Sequence, residues 1–498
     1  MGVCGLLEFG KKIPISGEAD VDRAIAAAEA AFAPSSDWRR MDDFTRQKVL
    51  LKFADLIETN QEYLATLTRA TLGAPYNPFG KSEIDTAIAC FRCSFDFSVH
   101  VLGEPILTKL DYAGWVGKFA GQSFPATDGF YKVVRNEPLG IVAGIIPWNG
   151  PLASIGLKAA PALATGNVFI LKPSEKTPLA AVALGKLAIE AGFPPGVFQV
   201  LTGDGSTGAI LASHMRVAKV SFTGSVPTGK NVQVLAAKSN LKRVTLELGG
   251  KSPAVVFDDA NLENAVKWCV NGLTTNSGQI CFAASRVYVQ DGIYDKFLTA
   301  YRDAFAAKRE VMGDPDNAMS EIGPVVDQAQ YERILRIIDT ARENKDGRLV
   351  QGGESMGNKV CLNSTRHQQN RILTYCCKGF FIDPAIFLDT APDSIIAKDE
   401  IFGPVVVINR FETEEEVVDL SNSSRYGLMA GVFTQDINRA LRLSEAFDSG
   451  VVGVNCVSTI SFSCPFGGTK ESGIGRELGI HALHAYTEPK TVLINLTY

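Results

Sequence analysis

Apolar positions along the chain follow two rhythms. In the first hundred residues they recur at helical spacing. "DVDRAIAAAEAAFA" (20–33) predicts a helix capped by Asp20. "DFTRQKVLLKFADLIETNQEYLATLTRATLG" (43–73) predicts two more, closed by Gly73. An amphipathic pattern then runs over Ser82–His100.

From about residue 133 the rhythm changes to short apolar runs that end in Gly or Pro. "GIVAGIIP", "NVFILKP", "GVFQVLTG", "VAKVSFTG" and "RVTLELGG" read as strands, and helical stretches such as "PLAAVALGKLAIEAG" lie between several of them. That alternation predicts an α/β fold with a parallel sheet covered by helices on both faces. A second α/β block follows in "SPAVVFDD", "SRVYVQD", "GPVVVINRF", "AGVFTQD" and "GVVGVNC". The blocks meet at Gly249-Gly250, read as a hinge. "YKVVRNEP" and "KTVLINLTY" predict strands able to extend a partner's sheet.

Composition narrows the function classes. A chain of 498 residues supports two or three domains with sizeable cores. Its net charge of -5 and lack of a Lys/Arg block argue against a nucleic-acid partner. No apolar stretch reaches the ~20 residues of a membrane helix. "MGVCGLLEFGKK" lacks the layout of a signal peptide, and Leu6 stands where a myristoylation signal needs Ser or Thr. A soluble, cytoplasmic protein without membrane attachment is expected. Ten cysteines in this length make no disulfide framework. Cys90-Phe91-Arg92-Cys93 sits in an amphipathic pattern and reads as packing. His481 and His484 share a helix without a third ligand nearby, so no metal site is expected.

Two Gly-rich turns compete for a phosphate. Gly203-Asp204-Gly205-Ser206-Thr207-Gly208 matches the G-x-G-x-x-G dinucleotide fingerprint, but no acid follows at the expected distance. Phe222-Thr223-Gly224-Ser225 also joins a strand to a helix start, where free N–H groups bind phosphate. "FILKPSEKTP" ends a strand with Lys172 and Glu175, a donor and an acceptor suited to a ribose. Each turn alone reads equally as an ordinary connection.

One cysteine stands in unusual company. Cys281 lies in "NSGQICFA", where Gly278 and Gln279 leave the backbone open. A lone cysteine is ordinarily packing. Glu247 lies where a strand meets a glycine pair, and Asn149 lies between prolines in "PWNGP". A thiol nucleophile, a carboxylate base, an amide donor for an oxyanion and a dinucleotide fold together suggest aldehyde oxidation through a thioester.

The chain resembles the NAD(P)-dependent aldehyde dehydrogenases, in texture their class 1/2-like members. The resemblance is carried by "PWNGP" (147–151), "LKPSE" (171–175), "FTGS" (222–225), "LELGGKSP" (246–253), "GQICFA" (278–283), "EIFGPV" (400–405), "PFGGTKESGIGRE" (465–477) and "AYTEPKTV" (485–492), in the family's order over roughly 19–492. It implies a Rossmann-like cofactor domain over 1–119 and 139–249 and a catalytic domain over 250–484. It also implies a small β oligomerisation element, 120–138 with 485–498, in a homodimer or homotetramer.

The site roles carry over residue by residue. The resemblance makes Cys281 the nucleophile, Asn149 the oxyanion donor together with the Cys281 N–H, and Glu247 the base for the hydrolytic water. Cofactor contacts would come from Trp148, Lys172, Ser174, Glu175, Gly205, Phe222, Gly224, Ser225, Leu248, Glu400 and Phe402. Glu400 would take the nicotinamide ribose and Phe402 the ring. Lys172 and Glu175 would take the adenosine ribose, and Gly224 and Ser225 the pyrophosphate, which moves Gly203–Gly208 towards the adenine end. Glu175 should repel a 2′-phosphate, which favours NAD over NADP.

Three departures from the family pattern matter. The N-terminal segment is short, with a helix near Asp20 where two strands usually come first. Residues 360–378, "VCLNSTRHQQNRILTYCCK", interrupt the pattern, and joining Lys359 to Gly379 restores "GNKGFFIDPAIF". The segment is encodable as an unspliced intron: Val-Cys from GT onwards, Ile-Leu-Thr around CTAAC, Lys ending in AG. A surface loop is the other reading, and neither adds catalysis. Finally, Gly150 follows Asn149 where many relatives carry an aromatic ring, and Phe282 follows Cys281 where a small residue is common. A widened tunnel lined by Phe282, Trp148 and Phe466 is expected, suited to bulky, aromatic or longer-chain aldehydes. Two other classes stay open: a catalytically impaired structural or binding relative, and a cysteine acyl hydrolase or transferase without hydride transfer.

Overall fold

The computed structural model describes residues 13–92, 95–101, 104–110, 115–116, 119–356, 360–362, 375–377 and 379–497, with the backbone alone for 95–101, 104–110, 360–362 and 375–377. The N-terminal residues through Lys12, Cys93 and most of the 360–378 segment lie outside the described residues.

The early helices follow their pattern, with one shift. The first spans Glu18–Phe32 and starts at Gly17, not behind Asp20. Asp20 sits one turn in, and its carboxylate accepts the Gly17 N–H at 3.0 Å. The next two are Asp43–Thr59 and Gln61–Leu72. Gly73 ends the latter at φ +78°, a left-handed conformation that glycine adopts without a Cβ penalty, and donates to Arg69 O. The helix expected to reach His100 stops at Arg92. Residues Phe95–Val101 pair instead as a strand with Glu104–Leu110. The reason is in the sequence: "FDFSVHV" alternates apolar and polar residues, which is strand period.

All twelve runs read as strands hold strands. Five form the parallel part of a six-stranded sheet, in spatial order Arg243–Glu247, Lys219–Thr223, Ile141–Ile145, Val168–Lys172 and Phe198–Val200. Gly473–Ile474 adds an antiparallel edge beside Glu247. Ile141–Ile145 comes first in sequence yet lies centrally, so the connections leave it in opposite directions. The switch point is therefore between Ile145 and Thr223, where an open α/β sheet binds its ligands. Val142, Phe169, Ile170 and Val220 are wholly buried beneath it.

The second sheet has seven strands, in order Arg348–Gln351, Ala385–Leu388, Val405–Phe411, Arg286–Gln290, Pro253–Val256, Met429–Phe433 and Val451–Val454. Only Arg348–Gln351 runs antiparallel. A third, three-stranded sheet joins Gln122–Phe124, Phe130–Pro138 and Thr487–Asn495. No helix among the described residues is long and apolar enough to cross a membrane.

The flanks of the 360–378 segment are bonded to each other. Gly353 N–H donates to Asp383 O at 2.9 Å, and Met356 N–H donates to Phe381 O at 3.1 Å. The chain therefore leaves and re-enters at one place, and joining Lys359 to Gly379 leaves a hairpin-length turn. A variant lacking 360–378 is expected to keep its melting temperature, or raise it, and to keep its turnover. A thermal melt beside an activity assay checks this, and loss of both would show that the segment holds the second sheet together.

Candidate active site

The loop that carries Cys281 is held in a conformation that its own sequence disfavours. Asn276, Ser277 and Gly278 are consecutive left-handed residues, at φ +50°, +56° and +74°. Ser277 Oγ donates to Gly323 O at 2.6 Å. Gln279 is wholly buried. Its Nε2 donates to Asn276 O at 2.9 Å and its Oε1 accepts the Val326 N–H at 2.9 Å. Far from leaving the backbone open, Gln279 clamps the loop. Below it, a Cβ on Gly250 would strike the Cys281 carbonyl, so this glycine is required by close approach rather than as a hinge.

Two clefts meet at Cys281. The first, about 540 Å³, opens at the switch point. It is lined by Trp148 and Asn149 after the Ile141–Ile145 strand, by Gly224 and Ser225 after Lys219–Thr223, and by Glu247, Glu400 and Phe402. Gly224 keeps the turn bare: a Cβ there would stand 2.6 Å from the Phe222 ring. Trp148 and Phe402 meet edge to face at 5.3 Å. Phe402 is held at φ +57° because Gln330 Nε2 donates to its carbonyl at 2.8 Å. Arg333 grips the carbonyls of Glu400 and Ile401 at 2.7 and 2.6 Å.

The remaining predicted residues lie around this cleft without lining it. Phe222 and Leu248 pack beneath Gly224 and Gly229. Lys172 ends the neighbouring strand, and its carbonyl accepts the Ile146 N–H at 3.1 Å. Its ammonium is buried, which lowers its pKa, and its ion pair with Glu175 is long at 3.7 Å. Ser174 Oγ accepts the Lys176 N–H. Gly205 opens the helix after the edge strand Phe198–Val200. Sequence reading missed Gln330, Arg333, Arg425 and Tyr426, which also line the cleft and sit outside any recognisable turn motif.

The second cleft, about 420 Å³, shares Pro147, Asn149, Thr223, Glu247 and Cys281 with the first. Gly150, Phe282 and Phe466 line it as expected. Trp148 does not: it faces the first cleft only. Nor does Gly150 simply widen the tunnel, because Glu83 Oε1 stands 2.9 Å from where its Cβ would be.

Glu247 and Cys281 are electrostatically coupled. Glu247 ends its strand buried, and burial, with Glu477 nearby, raises its carboxyl to about 8. The Cys281 thiol is pushed well up by burial and by Glu247, while the Phe282 N–H pulls the other way. Such a pair can pass one proton between sulfur and carboxyl. The Asn149 amide is aimed by the Gln279 carbonyl, to which Nδ2 donates at 3.0 Å. Behind Glu247, the buried Lys158 is ion-paired to Glu477 and donates to Ser221 Oγ at 3.3 Å.

A half-buried thiol thus lies beside a buried carboxyl where an α/β switch-point cleft meets a second pocket. The family model described as "Aldehyde dehydrogenase family" matches residues 8–492. The chain is 42% identical to human "Retinal dehydrogenase 2", covering 96% of this chain and 85% of that one. It is 44% identical to "Aldehyde dehydrogenase" of Agaricus bisporus, covering 98% and 89%, and 43% identical to human "Aldehyde dehydrogenase, mitochondrial", covering 96% and 85%. Among solved structures, an NAD+ complex of an aldehyde dehydrogenase from Bacillus cereus superposes with a TM-score of 0.86 at 38% identity, covering 97% and 90%. The chain belongs to the aldehyde dehydrogenase family.

Proposed function

We propose that this enzyme oxidises aldehydes to carboxylic acids with NAD, through a thiohemiacetal and a thioester on Cys281. The observation that carries this is the meeting of the two clefts at Cys281, Glu247 and Asn149. The first cleft suits the dinucleotide: it offers a bare glycine turn at a helix start, an aromatic pair and the buried Glu400 carboxyl, raised to about 7 by burial. When bound, NAD supplies the acceptor for the aldehyde's hydride.

The chain's own residues do the rest. Cys281, its proton lost to solvent, bonds through its thiolate to the carbonyl carbon. The Asn149 amide and the Cys281 N–H hold the oxygen as it becomes an oxyanion. After oxidation, Glu247 takes a proton from water, which attacks the thioester, releases the acid and restores the thiolate. Lys172 and Glu175 are assigned to the adenosine ribose, Ser225 to the pyrophosphate, Glu400 to the nicotinamide ribose and Phe402 to its ring. The first sheet with its helices is the cofactor domain and the second the catalytic domain. The three-stranded sheet is the oligomerisation element, because Thr487–Asn495 is an open edge with Leu493 and Ile494 exposed. Cys269, Cys281, Cys456 and Cys464 form no disulfide, which suits a reducing cytoplasm.

NADH formation from NAD and a panel of aldehydes tests the reading. A folded sample that reduces no NAD with any of them would refute it. The pH dependence follows from Glu247. Its folded value lies above the ordinary 4.5, so the base form is lost as pH falls through about 8. Turnover is expected to climb with pH and level off above that point. A rate unchanged from about pH 6 to about pH 9 would count against Glu247 as base.

A further inference from the structure

The second cleft has two unlike walls. One is aromatic: Phe282 and Phe466 meet edge to face at 5.6 Å, and Ile460 and Phe462 continue the surface. The other is built by the helices Lys81–Arg92 and Pro151–Ala164, which present Ser82, Glu83, Thr86 and Ser154 to the cleft. Gly156 brings these helices together, since a Cβ there would stand 2.9 Å from Ala87 Cα.

The polar wall is unsatisfied from within the protein. Thr86 and Ser154 are only 9% and 7% exposed. Both line the cleft, and neither hydroxyl has a hydrogen-bond partner among the described residues. Neither oxygen is fully enclosed, so each opens onto the cleft, and a molecule that displaces water from this wall has to supply the hydrogen bond in its place. Glu83 completes the patch. Its Oε2 accepts the Leu152 N–H at 3.1 Å, and its Oε1 fills the space above Gly150. Burial raises this carboxyl to about 8, so at neutral pH it is an uncharged acid that donates and accepts. Glu247, the other acid in this cleft, is raised likewise. An uncharged partner therefore suits the wall better than an ammonium group.

We propose that Thr86, Ser154 and Glu83 form a hydrogen-bonding subsite opposite the aromatic wall, and that the cleft selects aromatic aldehydes carrying a hydroxyl substituent. This rests on the aldehyde-oxidation reading and narrows its substrate class. The ring packs on Phe282 and Phe466, the carbonyl carbon reaches Cys281, and the ring hydroxyl meets the polar wall.

The test compares kcat/KM for benzaldehyde, 3-hydroxybenzaldehyde and 4-hydroxybenzaldehyde, measured as carboxylate formed. In the wild type one hydroxylated aldehyde is expected to exceed the parent about tenfold. In Thr86→Val/Ser154→Ala that ratio is expected to fall to near one, whereas Glu83→Gln, which keeps the volume and the hydrogen bonding, retains it. Should the double variant unfold, Ser154→Ala alone, which removes a single oxygen, carries the same comparison with a smaller drop. A wild-type ratio of one or less, or a ratio unmoved by these variants, overturns the subsite. Calorimetric binding of the same aldehydes to the Cys281→Ala protein reads the preference without turnover. A protein that oxidises nothing thus refutes the oxidation reading, while equal binding of hydroxylated and parent aldehydes refutes the subsite.

Discussion

Replacing Cys281 by alanine is expected to abolish NADH formation, with kcat/KM falling on the order of 10^4-fold or more. The size follows from what is removed. Without the sulfur the aldehyde forms no covalent adduct, and the oxyanion held by Asn149 never develops. The fold should survive, because Cys281 is only half-buried and the loop is pinned by Ser277, Gln279 and Gly250 rather than by the thiol. Equal melting temperatures for variant and wild type are therefore part of the expected result. A variant of intact fold that keeps more than about a hundredth of the activity would remove Cys281 from the mechanism.

Glu247→Gln is expected to lower steady-state kcat by about 10^2- to 10^4-fold while leaving a first turnover visible. The glutamine fills the same volume but takes no proton from water, so the thioester outlives the oxidation step. Rapid mixing should then show NADH formed in proportion to enzyme, followed by a slow phase, and the wild-type rise of rate through about pH 8 should vanish. Removing the buried carboxyl also relieves its repulsion with Glu477, so no loss of stability is expected. If first turnover and steady state slow equally, Glu247 acts before the thioester, in thiol deprotonation. A variant with wild-type kcat would exclude it as the base altogether.

Much of the fold was legible along the chain because strand–helix alternation is a local signal. Runs such as "NVFILKP" and "GPVVVINRF" are apolar on both faces, as a strand buried under two helix layers must be. The strands Arg348–Gln351, Ala385–Leu388 and Gly473–Ile474 were among those that escaped notice. The first and last are edges without strong alternation, fixed in place by their neighbours Ala385–Leu388 and Arg243–Glu247, and Ala385–Leu388 itself is only four residues long. The trio proposed to react, Asn149, Glu247 and Cys281, stood out for another reason: each interrupts a run whose chemistry otherwise suits only packing. Glu83 was invisible. It sits at helical spacing like any surface acid, and only the chain crossing 69 residues further on, at Leu152, buries it.

The sequence by itself determined the class of fold and the kind of chemistry, since both are written in local period and in motifs a few residues long. Local spacing left open which Gly-rich turn faces the central cleft, and tertiary structure decided it in the direction the family resemblance pointed. Gly224 does, while Gly205 stands at the sheet edge, because strand order is a property of the whole sheet. It also decided the protonation of Glu83 and Glu247, which depends on water being excluded by elements distant in the chain. The polar wall of the second cleft exists for the same reason: Thr86 and Ser154 come to line one cleft only when two helices pack against each other at Gly156.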